Sequence, residues 1–148
     1  MRDCGGRARQ YTRAVTPRVL LQVDDSDDEL FLFRRSFEKC GLEGWQLQSA
    51  NGGEQALKYL RAAQSERAAK PDLVLVDLRM PIVNGFAVLE WLRVNMPEVR
   101  AAVYSSSELK EDREKACALG AVAYLPKSEA VSVTEFVRNW EAESRARH

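Results

Sequence analysis

Polar residues stand at the ends of four apolar runs of the sequence, and their types could bind a metal ion and accept a phosphoryl group. Asp24 and Asp25 follow one run, Asp77 follows LVLV, and Ser105 and Lys127 close two further runs. Each run has the length and apolar content of a strand buried in a parallel sheet. Because the carboxyl ends of parallel strands lie at one edge of the sheet, we expect these side chains to converge.

Three carboxylates brought together repel one another, so the cluster requires a cation at neutral pH. Mg²⁺ fits, since it binds through one or two carboxylates together with waters and phosphate oxygens. Lys127 would provide a fixed positive charge on the other side. Phosphoryl transfer depends on positioning and charge stabilisation more than on acid–base chemistry, so one carboxylate oxygen could attack phosphorus. We predict Mg²⁺ as the cofactor and the central Asp77 as the nucleophile.

Simpler explanations remain for the same residues. Asp77 could cap a turn or the next helix, and Asp24 and Asp25 could be acids that favour the start of a helix. Lys127 could be a surface lysine. Ser105 is the first of three consecutive serines, so the hydroxyl that faces the site could come from its neighbour.

The elements that must position these residues alternate between strand and helix patterns. Strands are predicted at 18–23, 45–50, 73–76, 101–105 and 121–125, and helices at about 27–40, 54–63, 86–95, 108–119 and 130–143. Short connections between parallel strands require crossovers, which predicts an α/β fold with an open, doubly wound five-stranded sheet and helices on both faces.

The first predicted helix has a clear beginning, inner face and end. Ser26 with Glu29 forms a capping box, and Gly41 supplies the residue that closes the helix. Leu30, Phe33 and Phe37 recur at helical spacing, which predicts that they face the core.

The totals indicate one cytoplasmic domain of 148 residues. Lys and Arg total 22 against 22 Asp and Glu, which gives no reason to expect a nucleic-acid or membrane partner. The cysteines form no metal-binding or disulfide pattern, and Cys40 and Cys117 are predicted to be buried or half-buried in helices. We expect a flexible basic tail at 1–17, one domain at 18–143 and a short tail at 144–148.

In combination, VDDS at 23–26, LVDLRMPIVNG at 75–85, Ser105 and YLPK at 124–127 resemble the receiver domain of response regulators in bacterial two-component signalling. The resemblance covers about 18–140 and implies a flavodoxin-like fold with strand order 2-1-3-4-5. It also implies that Asp77 is the phospho-acceptor. Asp25, Asp77 and the backbone carbonyl of Arg79 would hold Mg²⁺, and Asp24 would act through a metal-bound water.

The resemblance further assigns the switching residues. Ser105 would hydrogen-bond the phosphoryl group, Lys127 would pair with a phosphoryl or carboxylate oxygen, and Tyr124 would be an aromatic side chain that turns inward when Ser105 moves. Phosphate would then change a surface formed by the fourth helix, fifth strand and last helix, which is expected to bind a downstream protein. The chain would be a phospho-acceptor switch that catalyses only its own phosphorylation and dephosphorylation.

The implied phosphodonor is a sensor histidine kinase or a phosphotransfer protein. The charged extension at 64–70 is typical of stand-alone receivers paired with phytochrome-like kinases, which favours that type of partner; a homodimer is a further expectation. Two rivals remain. One is a pseudo-receiver that binds proteins without being phosphorylated. The other is an aspartyl phosphatase, which is disfavoured because it would need a second carboxylate two residues after Asp77, where this sequence has Arg79.

Overall fold

The structure is a computed structural model that describes residues 17–128 and 132–146. In this part of the chain five strands alternate with five helices. The strands are β1 (Arg18–Asp24), β2 (Trp45–Asn51), β3 (Leu73–Val76), β4 (Arg100–Ser105) and β5 (Tyr124–Pro126). The helices are α1 (Asp27–Cys40), α2 (Gly53–Gln64), α3 (Gly85–Asn95), α4 (Lys110–Ala118) and α5 (Ser132–Ala146). Except for its last residue, the predicted tail at 1–17 lies outside the described residues.

The strands form one parallel sheet in the order β2-β1-β3-β4-β5. This confirms the doubly wound fold and the order 2-1-3-4-5. The order reverses between β1 and β3, and ligands of open α/β sheets bind outside the carboxyl ends of the strands at such a point. Asp24 ends β1 and Asp77 follows β3, so both acids stand at this position.

Two apolar clusters cover the two faces of the sheet, which accounts for the continuous apolar runs in the sequence. One cluster packs α2, α3 and Ala116 of α4 against β1, β3 and β4. The other packs α1 and α5 on the opposite face. All four residues of β3 are buried, so the strand that leads to Asp77 is enclosed on both sides.

The end of α1 agrees with the prediction, but only half of the predicted capping box forms. The Ser26 N–H donates to Asp24 Oδ1 over 3.0 Å rather than to the Glu29 carboxylate, which lies 3.7 Å from Lys127 Nζ. The Ser26 hydroxyl accepts a hydrogen bond from the Glu29 N–H over 3.2 Å. Gly41 has a φ of 59° and ends the helix in the left-handed region, where glycine is favoured. The inward prediction for Leu30, Phe33 and Phe37 is also confirmed, since each is buried.

Three details differ from the sequence-based expectation. β5 begins at Tyr124 rather than at 121, because the Ala121 N–H is still bonded to the Ala116 carbonyl at the end of α4, over 3.0 Å. α5 continues to Ala146, three residues beyond the predicted end at 143. Cys117 is exposed, so its predicted burial is wrong: on this helix Ala116 faces the core and its neighbour faces solvent.

Among the described residues, no helix has both the length and the apolar content needed to cross a membrane.

Candidate functional site

Asp77 is held at the sheet edge by a tightly closed loop. Its N–H donates to the Val23 carbonyl over 3.0 Å, which continues the pairing of β3 with β1 past the end of the strand. The Gly85 N–H then donates to the Leu78 carbonyl over 3.1 Å and closes the loop at 78–85. A Cβ on Gly85 would lie 2.3 Å from the Asp77 carbonyl oxygen, so only glycine permits this approach. The acid therefore has a fixed backbone.

The three predicted carboxylates come together. Asp24, Asp25 and Asp77 each offer a carboxylate oxygen, and these oxygens lie within 4.8 Å of one another. Asp24 and Asp77 are buried, whereas Asp25 is exposed and leaves the cluster open to solvent. Asp24 is oriented by its Oδ1, which accepts from the Ser26 N–H over 3.0 Å. A set of carboxylate oxygens with an open side fits a hard divalent cation that keeps some of its waters.

Lys127 lies beside the acids and is not a free surface lysine. Its Nζ is 2.7 Å from Asp24 Oδ2, 3.5 Å from Asp77 Oδ2 and 3.7 Å from Glu29 Oε2. Its backbone N–H donates to the Ser105 carbonyl over 3.0 Å, which ties the end of β5 to the end of β4. Sequence reasoning identified Glu29 only through its capping position and missed its contact with the lysine.

The charges at this edge shift two pKa values. Burial raises the pKa of Asp77, and the nearby charge of Asp24 adds to the rise, while Lys127 and the Ser105 hydroxyl oppose it. Burial lowers the pKa of Lys127, but the hydrogen bond to Asp24 and the charges of Asp77, Asp24 and Glu29 outweigh this and raise the pKa overall. The site thus favours a protonated lysine and penalises the ionised Asp77, a penalty that an added cation would relieve.

Ser105 is the serine that faces Asp77. It is fully buried, its Oγ accepts from the Ser107 N–H over 3.2 Å, and the hydroxyl lies near enough to the Asp77 carboxylate to lower the pKa of that acid. Ser106 is exposed, and the Ser107 hydroxyl donates to Asp112 Oδ2 over 2.5 Å instead. The geometry thus selects the first of the three serines.

A second polar cluster adjoins the site and was not predicted. We call it the Asp112 network; it consists of Arg79, Ser107, Asp112 and Tyr124. Asp112 accepts hydrogen bonds from Ser107 and from the Arg79 guanidinium, and the Tyr124 hydroxyl donates to the Ser107 carbonyl over 2.9 Å. The hydrogen bond from Ser107 lowers the pKa of Asp112, and Arg79 lowers it further against the effect of burial.

The Asp112 network joins the loop after Asp77 to Tyr124, one of the two predicted switching residues. Arg79 belongs to the loop after Asp77, and Tyr124 begins β5. The Arg113 guanidinium lies 4.7 Å from the centroid of the Tyr124 ring, which adds a cation–π contact from α4. No signal in the sequence distinguished Asp112 from the other acids of its mostly polar helix.

Comparisons with known proteins agree with this architecture. The polar-differentiation response regulator DivK of Brucella anthropi is 28% identical over 123 residues, which are 82% of this chain and 91% of DivK. The Mn²⁺-bound response regulator Rcp1 is 26% identical with a TM-score of 0.68, over 76% of this chain and 83% of Rcp1. The bacteriophytochrome response regulator AtBRR is 29% identical with a TM-score of 0.65, over 75% of this chain and 82% of AtBRR.

The family assignment rests on the length of the match as well as on the acidic edge. A family model described as the response regulator receiver domain matches residues 20–135, a span that contains every strand except the first two residues of β1. The matched span also contains all three clustered carboxylates and Lys127. This protein therefore belongs to the response regulator receiver domain family of two-component signalling.

Proposed function

We propose that this receiver domain accepts a phosphoryl group on Asp77 from a histidine kinase or a phosphotransfer protein. One observation carries the proposal: Asp77 lies on a rigid loop within 4.8 Å of two further carboxylate groups and 3.5 Å from the Lys127 ammonium. Two acids and a cation around a third acid are the groups that phosphoryl transfer to a carboxylate needs.

In the proposed reaction, an ionised Asp77 oxygen forms a bond to phosphorus while the bond from phosphorus to the donor's imidazole nitrogen breaks. The electron pair of that bond leaves with the imidazole. Lys127 remains protonated and offsets the negative charge added to the loop, which agrees with its raised pKa. The buried Ser105 hydroxyl, which lies near enough to Asp77 to lower its pKa, can donate its hydrogen to a phosphoryl oxygen.

Mg²⁺ is the proposed cofactor. Asp25, Asp77 and the backbone carbonyl of Arg79 would hold it, and Asp24 would act through a coordinated water. When bound, the ion neutralises charge on the phosphoryl oxygens. The set of hard oxygen donors supports this choice, and the exposure of Asp25 gives the ion a route of entry.

The proposed switch passes through Ser105 and Tyr124. A phosphoryl group that draws the Ser105 hydroxyl inward would pull on the chain that leads to Ser107, whose carbonyl accepts from Tyr124 and whose hydroxyl bonds Asp112. Phosphorylation would then favour one of two arrangements of this segment, because it contacts Ser105 and Lys127 in only one of them. We propose that the face formed by α4, β5 and α5 presents the change to a downstream protein or to a second copy.

A phytochrome-like kinase is the proposed type of donor. The support is the similarity to AtBRR, a bacteriophytochrome response regulator, and the segment at 64–70 between α2 and β3. Phosphotransfer profiling of the purified chain against the host's histidine kinases identifies the donor by the fastest transfer.

Acetyl phosphate tests the acceptor without a kinase. Incubation with Mg²⁺ should add the mass of one phosphoryl group to the intact protein, and hydroxylamine should remove it. Asp77→Asn should fold and remain unlabelled. A labelled Asp77→Asn protein assigns the acceptor elsewhere, and an unlabelled wild type favours the rival pseudo-receiver. Turnover of a phosphomonoester panel would instead support the aspartyl phosphatase.

A further inference from the structure

Ile82 has an unfavourable backbone conformation at the tip of the loop that carries Asp77. Its φ is 67°, in the left-handed region that β-branched residues avoid. The Val83 N–H donates to the Pro81 carbonyl over 2.8 Å, which makes Ile82 the central residue of a three-residue γ-turn of the strained type. Asparagine or glycine would adopt this conformation at lower cost.

The neighbours of Ile82 leave its backbone little freedom. A Cβ on Gly53 would lie 2.2 Å from the Val83 carbonyl oxygen, so the loop packs closely on the first residue of α2. On the other side, Gly85 closes the loop against Asp77, as described above. The loop is thus anchored at both sides of its tip.

Folding buries almost none of the apolar surface of the Ile82 side chain. It is 89% exposed, more than any other large hydrophobic residue of the described part of the chain. Burial of its apolar surface in the monomer therefore does not offset the unfavourable φ. Persistent backbone strain at a site is a reason to look for a function outside the folded chain.

The position of Ile82 indicates what it contacts. Asp77 is only 8% exposed, so a donor must reach it at the sheet edge, and the loop at 78–85 starts directly after Asp77 and closes back against it through Gly85. A donor that is a protein must bring its phosphohistidine to this edge on a surface larger than the phosphate itself. The exposed tip of the loop then lies under that surface.

We propose that Ile82 is an apolar docking residue for the phosphodonor protein and inserts between apolar side chains beside the donor's phosphohistidine. This inference rests on the proposed function and adds a specificity determinant to it. Because the backbone at Ile82 is held in place before binding, ordering this segment costs little on binding, which favours affinity.

Comparing phosphorylation by a small donor with phosphorylation by a protein donor distinguishes a docking role of Ile82 from a role in the phosphoryl-transfer step. Acetyl phosphate has no apolar surface that Ile82 could contact, so its reaction with Asp77 should not depend on this side chain. The informative variants are Ile82→Asn, which removes the apolar group and tolerates a positive φ, and Ile82→Leu, which keeps an apolar side chain. Val94→Asn is the matched control, because Val94 is 70% exposed but lies at the far end of α3, about 14 Å along the helix from Gly85.

The experiment uses the full chain and the ³²P-labelled host kinase that transfers fastest to the wild type. We expect Ile82→Asn to lower kcat/KM for this transfer about tenfold, the effect of losing an important interface residue. Ile82→Leu should stay within about threefold of the wild type, and Val94→Asn should match it. All three variants should react with acetyl phosphate at the wild-type rate, and Ile82→Asn should unfold at the same or a higher temperature.

Three results would overturn the inference. Transfer from the kinase to Ile82→Asn at the wild-type rate removes the docking role. An equal loss with acetyl phosphate assigns the residue to the loop's own structure. Unchanged transfer together with loss of a wild-type dimer in sedimentation assigns it to a contact between copies. Absence of labelling of the wild type by either donor contradicts the proposed function instead, so the two failures are distinguishable.

Discussion

Arg79 and Asp112 form an ion pair that joins the loop after Asp77 to the first turn of α4. Asp112 is buried, and it also accepts from the Ser107 hydroxyl over 2.5 Å. One carboxylate therefore connects the segment that carries the proposed phospho-acceptor with the segment that follows Ser105. Movement of either segment must stretch or break this connection.

Asp112→Asn should loosen the segment between β4 and α4. The variant loses the ion pair and weakens the hydrogen bond from Ser107, for an expected loss of about 1 kcal/mol in the free energy of unfolding, because Arg79 is largely exposed. Hydrogen exchange should accelerate at the Ser107 and Leu109 amides, which bond to serine hydroxyls in this segment.

Glu111→Gln is the matched control for this change. It removes one negative charge from the same first turn of α4, but Glu111 is exposed. Helix-dipole effects should therefore be similar in both variants, and only Asp112→Asn should alter exchange at Ser107. Equal exchange in the two proteins would mean that the Asp112 network does not restrain the segment.

Asp77→Asn should stabilise the metal-free protein at neutral pH. Burial raises the pKa of Asp77, so the folded chain binds this proton at a higher pH than the unfolded chain does. The ionised carboxyl therefore lowers the free energy of unfolding above the folded pKa, and this penalty fades as the pH falls through the folded pKa towards the ordinary value. Asparagine removes the penalty at every pH.

Urea unfolding in the presence of a chelator, at neutral pH and at about pH 4, measures how Asp77→Asn changes the free energy of unfolding. Asp77→Asn should resist urea better than the wild type at neutral pH, and the difference should shrink in acid. Asp28→Asn, which removes one negative charge from an exposed acid of α1, is the matched control. If the wild type were more stable than Asp77→Asn at neutral pH without metal, the raised pKa of Asp77 would be contradicted.

The positions of the strand-end residues could be predicted because each follows a buried apolar run directly. Asp77 and Lys127 needed only the parallel sheet to bring them together. Glu29 and Asp112 could not be placed, since their contacts join residues from different segments and depend on side-chain directions that no periodicity encodes. The positive φ of Ile82 was hidden for the opposite reason, because residue preference argues against it.

The fold was predictable to a similar extent. Long apolar runs and capped helices defined most elements, as at β3 and α1. The start of β5 was not predictable, because a hydrogen bond to the end of α4 delays the strand and the sequence AVAYL shows no break. Element boundaries depend on such tertiary bonds more than on local preference.

Asp25→Asn should weaken Mg²⁺ binding strongly. Asp25 is the exposed member of the carboxylate cluster, so its loss removes an anionic ligand without unpairing a buried group. We expect the dissociation constant to rise at least tenfold, since even indirect partners of bound metals contribute that much. Titration calorimetry measures the change, and Asp28→Asn should bind as the wild type does. Unchanged affinity in Asp25→Asn would place the ion elsewhere.

Lys127→Met should have opposite effects on the metal-free and metal-bound protein. Without metal, the Lys127 ammonium is the cation beside Asp24 and Asp77, at 2.7 and 3.5 Å. Its loss leaves buried carboxylates unpaired, and the free energy of unfolding should fall by about 2 kcal/mol, less than the roughly 3–5 kcal/mol of deeply buried pairs, since the lysine is partly solvated. Mg²⁺ then meets the same acids without a competing positive charge, so its affinity should rise about tenfold. Thermal unfolding with and without Mg²⁺ should therefore show a lower Tm in chelator and a larger gain in Tm on adding the ion.

Lys110→Met, which alters an exposed lysine of α4, is the control and should change neither the Tm in chelator nor the gain with Mg²⁺. Equal gains on adding Mg²⁺ to the wild type and to Lys127→Met would mean that the lysine and the ion do not act on the same carboxylates.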